Sequence, residues 1–336
     1  MFDQNGQLPG EFELIAKYFA PLSEGYPGAF GLLDDAAIIS PSAGHDLVAK
    51  TDAIVGGVHF HADDPADLVA RKALRVNLSD LAGKGGIARA YMLDLILPET
   101  TTTAWLSAFV SGLAADQREY GVHLIGGDTN ATPGPLTIAV TAFGEVPKGR
   151  ILRRNGARAG DLIFVTGTIG DAVLGLKALG GECPTLKAEA AASLIERYRL
   201  PQPRVETGPL LLDVATATID VSDGLIADLE HICEVSDVSA AIESKKVPLS
   251  PAARQALTDD PTLAAAALTG GDDYEILFTA PANAANRIDQ ISQSSGTPIT
   301  TIGRVEKTSR AIETRVTVLS PDGTPLKLSN KGWTHF

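Results

Sequence analysis

Six aspartate-bearing motifs fall where apolar runs of this chain stop. They are Leu33-Asp34-Asp35, Lys50-Thr51-Asp52, Leu78-Ser79-Asp80, Gly127-Asp128, Asp220-Val221-Ser222-Asp223 and Gly271-Asp272-Asp273. Each sits at the predicted end of a strand or helix, often beside glycine or a hydroxyl residue. Ligands of open α/β sheets collect at such ends. The fold must therefore turn carboxylates from distant parts of the chain toward ligand-binding regions.

Residues 51–80 show the pattern at short range. Thr51-Asp52 closes the apolar run Leu47-Val48-Ala49, and Gly56-Gly57 and His59 follow. Asp64 is placed to cap a helix with Pro65 at its first position, where a missing N–H costs nothing. Leu68, Leu74, Leu78 and Leu81 recur at helical spacing on that helix. Asn77, Asp80 and Lys84 share another face. A strand end and a helix end can thus aim carboxylates at one region. Taken singly, Asp52 reads as a turn residue and Asp80 as a solvated charge; the repetition of the pattern favours a site.

Strands and helices alternate from 36 to 146, which predicts an α/β unit. Helices are expected at 11–19 and 103–120, with strands at 37–39, 90–97, 122–125 and 136–146. A break at Val146-Pro147-Lys148-Gly149 leads into Arg150, Arg153, Arg154 and Arg158. Beyond it, strands are expected at 162–166, 218–221, 239–243, 274–279, 299–304 and 314–319. Helices are expected from 167 and over 186–199, 225–235 and 282–293, with a hairpin turn at Pro321-Asp322-Gly323. The 336 residues exceed what one core usually serves, so two domains are expected, 1–148 and 149–336.

The formal charge of −13 argues against nucleic-acid and anionic-membrane partners. There is no long apolar run, and residues 1–13 lack the features of a signal peptide, so a cytoplasmic location is expected. Cys183 and Cys233 stand far apart and read as free thiols. An acidic site that handles phosphate needs divalent cations between the two sets of negative charge. Oxygen donors and the lack of a His/Cys cluster point to Mg2+ over zinc. Neither a Walker A loop nor a kinase glycine loop is present.

The order of motifs resembles the thiamine-monophosphate kinase family. That family lies within the superfamily of aminoimidazole ribonucleotide synthetase, selenophosphate synthetase and hydrogenase-maturation ATPases. The matching segments are GEFELIAKYF, LLDDAAII, KTDAIVGGVHF, ADLVARKALRVNLSDLAGKGG, LIGGDTN, GRILRRNGARAGD, VTGTIGDA, IDVSDGLIADL, LTGGDDYEILF and the terminal KGWTHF. The resemblance implies a two-domain α/β (α+β) fold of the aminoimidazole ribonucleotide synthetase type and a homodimer joined through its N-terminal domains. It implies ATP-dependent phosphorylation of thiamine monophosphate to thiamine diphosphate. Carried over by position, Asp35, Thr51, Asp52, Asp80, Asp128, Asp220 and Asp223 would hold Mg2+. Arg154 and Ser222 would touch ATP, with Tyr120, Gly127 and Asp128 near the nucleotide. His59, Asp272 and Trp333 would face the thiamine end.

Three positions depart from the pattern or lack a role in it. Lys50 stands where the family commonly has a small hydroxyl residue at a metal site. Asp272 stands where a glutamate is usual. Asp34 precedes the matched ligand and has no assigned role. Two rival readings remain at this level: another ATP-dependent synthetase of the superfamily, or a non-catalytic nucleotide- or metal-binding regulator. The cysteines expected near the termini of selenophosphate synthetase and the hydrogenase-maturation ATPase are not in this sequence.

Overall fold

A computed structural model describes residues 8–308, 314–328 and 332–333. The chain divides into two compact units. One is Met1–Leu81 with Gly86–Gly149; the other is Ala82–Gly85 with Arg150–Phe336.

The first unit opens with α1 (Glu11–Leu14), extended by a π-helical turn over Ile15–Phe19. Next come β1 (His45–Val55), α2 (Ala66–Gly83), β2 (Ile87–Pro98), α3 (Thr103–Tyr120), β3 (His123–Thr132) and β4 (Thr137–Pro147). The strands form one sheet in the order β1-β4-β2-β3, so β1 and β3 are its two outer edges. β4 runs antiparallel to both neighbours, and β2 and β3 are parallel.

α3 follows the predicted limits because its sequence marks both ends. The Thr102 hydroxyl accepts the Trp105 amide at 3.2 Å, and Gly121 closes the helix at φ 65°. Leu106, Phe109 and Leu113 supply its buried stripe. α2 and α3 approach so closely that a Cβ on Gly112 would lie 2.2 Å from the Asp67 carbonyl. The predicted strand at 37–39 does not form. Ile38 instead donates its amide to the Gly28 carbonyl, and its side chain is exposed.

Sheet register sorts the side chains of this unit into two faces. Lys50 lies opposite Ala142, which lies opposite Tyr91; Asp52 lies opposite Val140, which lies opposite Leu93. Tyr91, Leu93, Val140 and Ala142 are buried, so Lys50 and Asp52 project from the core-facing side. Thr51, Thr141, Met92, Asp94 and Asp128 take the other, more open side.

The second unit contains β5 (Leu162–Thr166), α4 (Asp171–Leu179), α5 (Ala188–Arg199), β6 (Ala217–Asp220), α6 (Leu225–Ser236), β7 (Val238–Glu243), α7 (Pro251–Asp259), α8 (Ala264–Thr269), β8 (Ile276–Ala280), α9 (Ala285–Ser295), β9 (Ile299–Lys307) and β10 (Val316–Leu319). Its sheet runs β10-β7-β9-β5-β8-β6. Ile163, Val165, Ile219, Leu277 and Ile302 of that sheet pack with Leu229 and Ile232 of α6. α7 and α8 escape the sequence reading because they are short and their buried positions are mostly alanine, Ala252, Ala253 and Ala256 in α7 and Ala267 with Leu268 in α8.

Candidate active site

In the first unit, the open face of β2 and β3 borders a cleft of about 360 Å³. Glu11, Asp34, Asp35, Asp94 and Asp128 line it together with Gly127. Gly127 has φ 143°, and an added Cβ would lie 1.9 Å from the Leu93 carbonyl. Only glycine lets β3 run this close to β2 and present Asp128 directly opposite Asp94. Asp128 accepts the Thr129 amide at 2.8 Å and the Asn130 side-chain amide at 2.5 Å, which fixes its orientation. Asp34 gains a role here: its Oδ1 accepts the Asp35 amide at 2.9 Å, a local turn that presents Asp35. Asp94 was missed in the sequence. It falls inside an apolar strand rather than at a strand end, so the strand-end pattern passes over it.

Asp52 and Asp80 form a separate group on the core-facing side. The Lys50 ammonium lies 3.1 Å from Asp52 Oδ1 and 2.9 Å from Asp80 Oδ2. Burial lowers the Lys50 pKa, but Asp80 and Asp52 outweigh it and hold the ammonium above its ordinary range. Thr51 points the other way, with its hydroxyl 3.0 Å from that of Thr141. Asp52 and Asp128 stand on opposite edges of the sheet and on opposite faces, so one chain does not bring them together. His59 is half-buried; its Nδ1 accepts the Val55 amide at 3.0 Å, and its carbonyl accepts the buried Lys72 ammonium at 2.9 Å. The Tyr120 ring lies under the Arg75 guanidinium, 5.1 Å away, and Arg75 is clamped to Asp116. Tyr120 does not line the Asp35–Asp128 cleft.

In the second unit the site residues gather on the loop that joins β6 to α6. Asp220 ends β6 and is buried. The amides of Ser222, Asp223 and Gly224 all donate to Asp228 Oδ2, at 3.0, 3.1 and 3.1 Å. Burial pushes the Asp228 carboxyl up to about 8, assisted by Asp220 and Asp223 and opposed by the loop amides. Asp228 was missed in the sequence, although an acid in the first turn of a helix after a strand-end loop is a readable capping signal. The loop turns its carbonyls outward: Ser222 accepts the Asp272 amide at 2.9 Å, and Asp223 accepts the Trp333 amide at 2.9 Å. Ser222, Asp223, Asp272 and Trp333 are thereby brought together. The Trp333 side chain is 55% exposed, so it is no core aromatic.

The backbone is also unusual at position 272. Asp272 has φ 71°. Aspartate tolerates that left-handed conformation better than longer side chains. Its neighbour Asp273 is buried and accepts the amides of Gly170 at 2.7 Å and Ala172 at 3.2 Å, holding the start of α4. Burial pushes Asp273 up to about 8. Glu275, fully buried, binds the Thr166 hydroxyl at 2.7 Å, Arg197 at 3.0 Å and Arg204, and so anchors the end of the loop. Arg154 is exposed and makes no ion pair among the described residues; its carbonyl accepts the Ser236 hydroxyl at 3.4 Å.

The donors of both groups are hard oxygens, which suit Mg2+. Among the described residues no three acidic, His or Cys groups converge tightly enough to enclose a metal ion.

Comparison with known proteins gives the same family at the level of domains and of the whole chain. The family described as AIR synthase related protein, N-terminal domain, matches residues 33–146, and its C-terminal counterpart matches 158–314. The thiamine-monophosphate kinase of Escherichia coli (strain K12) is 41% identical over 97% of this chain and 98% of its own length. That of Caulobacter vibrioides is 39% identical over 97% of this chain and 91% of its own. This chain belongs to the thiamine-monophosphate kinase family. Solved structures agree. The thiamine-monophosphate kinase of Stenotrophomonas maltophilia K279a superposes with a TM-score of 0.78 at 36% identity, covering 96% of this chain and 93% of that one. AaThiL complexed with AMPPCP and TMP gives 0.76 at 32%, covering 92% and 97%. The hydrogenase maturation protein HypE in complex with ATP scores 0.78 at only 20% identity, which shows a shared fold alone.

Proposed function

We propose that this chain transfers the terminal phosphoryl group of ATP to thiamine monophosphate, giving thiamine diphosphate, with Mg2+ as the metal. The observation that carries the reading is the seating of Asp272 and Trp333 on successive carbonyls of the Ser222-Asp223 loop. A carboxylate and an exposed indole side by side suit a cationic, aromatic substrate, and the loop between them carries the ATP-directed Ser222. The names of the relatives support the same activity.

The acceptor is itself a phosphate and a nucleophile when ionised, so no general base is required. The residues must align two polyanions in line and offset their charge. Asp35, Asp52, Asp80 and Asp128 in one unit, and Asp220 and Asp223 in the other, would hold Mg2+. Thr51, on the open face, would act on the same side of the sheet as Asp128. Bound there, Mg2+ would neutralise phosphate charge as it shifts in the transition state. Gly127 lets the β3 backbone approach the nucleotide, with Tyr120 near it, and Arg154 offers a guanidinium fork to phosphate oxygens. His59 would face the thiamine end.

We infer a homodimer joined through the N-terminal units. Its support is β1, an outer strand of eleven residues. A long open edge invites pairing with another copy. No helix among the described residues is long and apolar enough to cross a membrane. A cytoplasmic location agrees with free Cys183 and Cys233, and the net charge of −13 disfavours a nucleic-acid partner. The test is an assay with ATP, Mg2+ and thiamine monophosphate, following thiamine diphosphate by chromatography. Product formation supports the kinase; ATP turnover only with another acceptor would favour a superfamily synthetase, and no turnover would favour a regulator.

A further inference from the structure

Lys50 and Asp52 are two residues apart on β1 and so project from the same face. Their strand neighbour across from Lys50 is Ala142, whose small side chain leaves the Lys50 stem room to lie over the sheet. The ammonium sits 3.1 Å from Asp52 and 2.9 Å from Asp80, which comes from the last turns of α2. The three side chains are 30%, 43% and 14% exposed, so the ammonium is partly shielded from solvent and held from two elements at once. This is the place, relative to two carboxylates, that a bridging cation would take. The family resemblance puts a small hydroxyl residue at position 50, and such a residue would leave that place open to a metal ion.

We propose that the Lys50 ammonium is a tethered cation that replaces one divalent ion of the N-terminal acidic group. The proposal rests on the reading that Asp52 and Asp80 serve a phosphate-handling metal site. Charge decides the matter. Two carboxylates facing each other favour a divalent ion that cancels both charges. With one ammonium already between them, part of that charge is offset, and a further dication must displace a bonded ammonium to reach both oxygens. An ammonium has three N–H donors. Two are directed at Asp52 and Asp80, and the third can serve a phosphate oxygen, a task the displaced ion would have performed. Lysine acts here as a point charge, as it does in other phosphate sites.

The test counts ions. Mn2+ replaces Mg2+, and free Mn2+ is measured by electron paramagnetic resonance, with the metal alone and then with AMPPCP and thiamine monophosphate. Wild type, Lys50→Ser and Lys50→Arg are compared. Lys50→Ser should bind about one more Mn2+ per chain than wild type, and Lys50→Arg should match wild type. In EDTA, Lys50→Ser should melt below wild type and recover on addition of Mg2+, because Asp52 and Asp80 then lose the charge that bridges them. Equal ion counts in wild type and Lys50→Ser would overturn the proposal. If the serine variant does not fold, Lys50→Gln, neutral but of similar length, gives the same comparison. Failure of wild type to make thiamine diphosphate would overturn the kinase reading alone, since the count with metal alone still decides the role of Lys50.

Discussion

At the scale of single residues, Trp333 and Asp272 carry the sharpest expectations. Trp333 is held by its backbone on the Asp223 carbonyl while its indole remains exposed. Trp333→Ala should therefore raise the KM for thiamine monophosphate about 2- to 30-fold, the loss of a stacking contact of about 0.5–2 kcal/mol. The KM for ATP should hardly change, and steady-state kinetics with each substrate varied in turn would check this. Equal effects on both constants would make Trp333 a support for the loop instead. Asp272→Glu keeps the carboxylate but places a longer side chain at φ 71°. It should lower stability slightly and leave turnover largely intact, which a urea melt and the same assay can separate. Much of this was legible in the sequence, because the motif residues themselves announce the chemistry. Asp228 was passed over although its place in the first turn of α6 is a readable signal; its collecting of three loop amides is a geometry that only folding creates. Asp94 was not read because its setting in an apolar strand hides a carboxylate that faces the cleft.

Elements position these residues, and two of them can be tested as elements. β3 depends on Gly127, whose added Cβ would strike the Leu93 carbonyl of β2 at 1.9 Å. Gly127→Ala must part the two strands or adopt a strained φ, at about 2–4 kcal/mol. A lower urea midpoint together with lost activity is expected. The start of α4 depends on Asp273, whose carboxyl titrates near 8 because of its burial. Its proton is bound more tightly in the folded chain than in the unfolded one. The stability it contributes is full below the unfolded carboxyl range and is lost as pH rises through about 8. Asp273→Asn keeps an acceptor for one of the two amides, those of Gly170 and Ala172, and removes the titration. Its melting temperature should fall less than that of wild type from pH 5 to pH 9, as calorimetry across the range would show. α3 was readable because Thr102, Gly121 and a clean apolar stripe all agree. The predicted strand at 37–39 failed because β propensity needs a partner strand, and this segment has only the turn at Gly28.

At the scale of the whole molecule, the arrangement of the first sheet bears on how a site is completed. Strand identity was legible, but strand order was not: nothing in local pattern states that β1 and β3 end at opposite edges. That order separates Asp52 from Asp128 by three strand spacings, about 14 Å. Mg2+ binds oxygen at about 2 Å, so these two carboxylates of one chain do not share an ion. In the inferred homodimer, an outer β1 of one copy can lie beside an outer β3 of the other, which would place the two acids on neighbouring strands of one composite site, Asp52 from one face and Asp128 from the other. Asp52→Asn and Asp128→Asn should each lower turnover by orders of magnitude, on the scale of lost charge stabilisation. Mixed, unfolded together and refolded, the two variants should regain about a quarter of wild-type activity. Random pairing makes about half of the dimers mixed, and each mixed dimer holds one site with both carboxylates intact and one with neither. Light scattering should report a dimer for both variants and for the mixture. If the mixture stays as inactive as its components while remaining dimeric, Asp52 and Asp128 serve separate subsites of one chain, and the N-terminal pairing has a structural role alone.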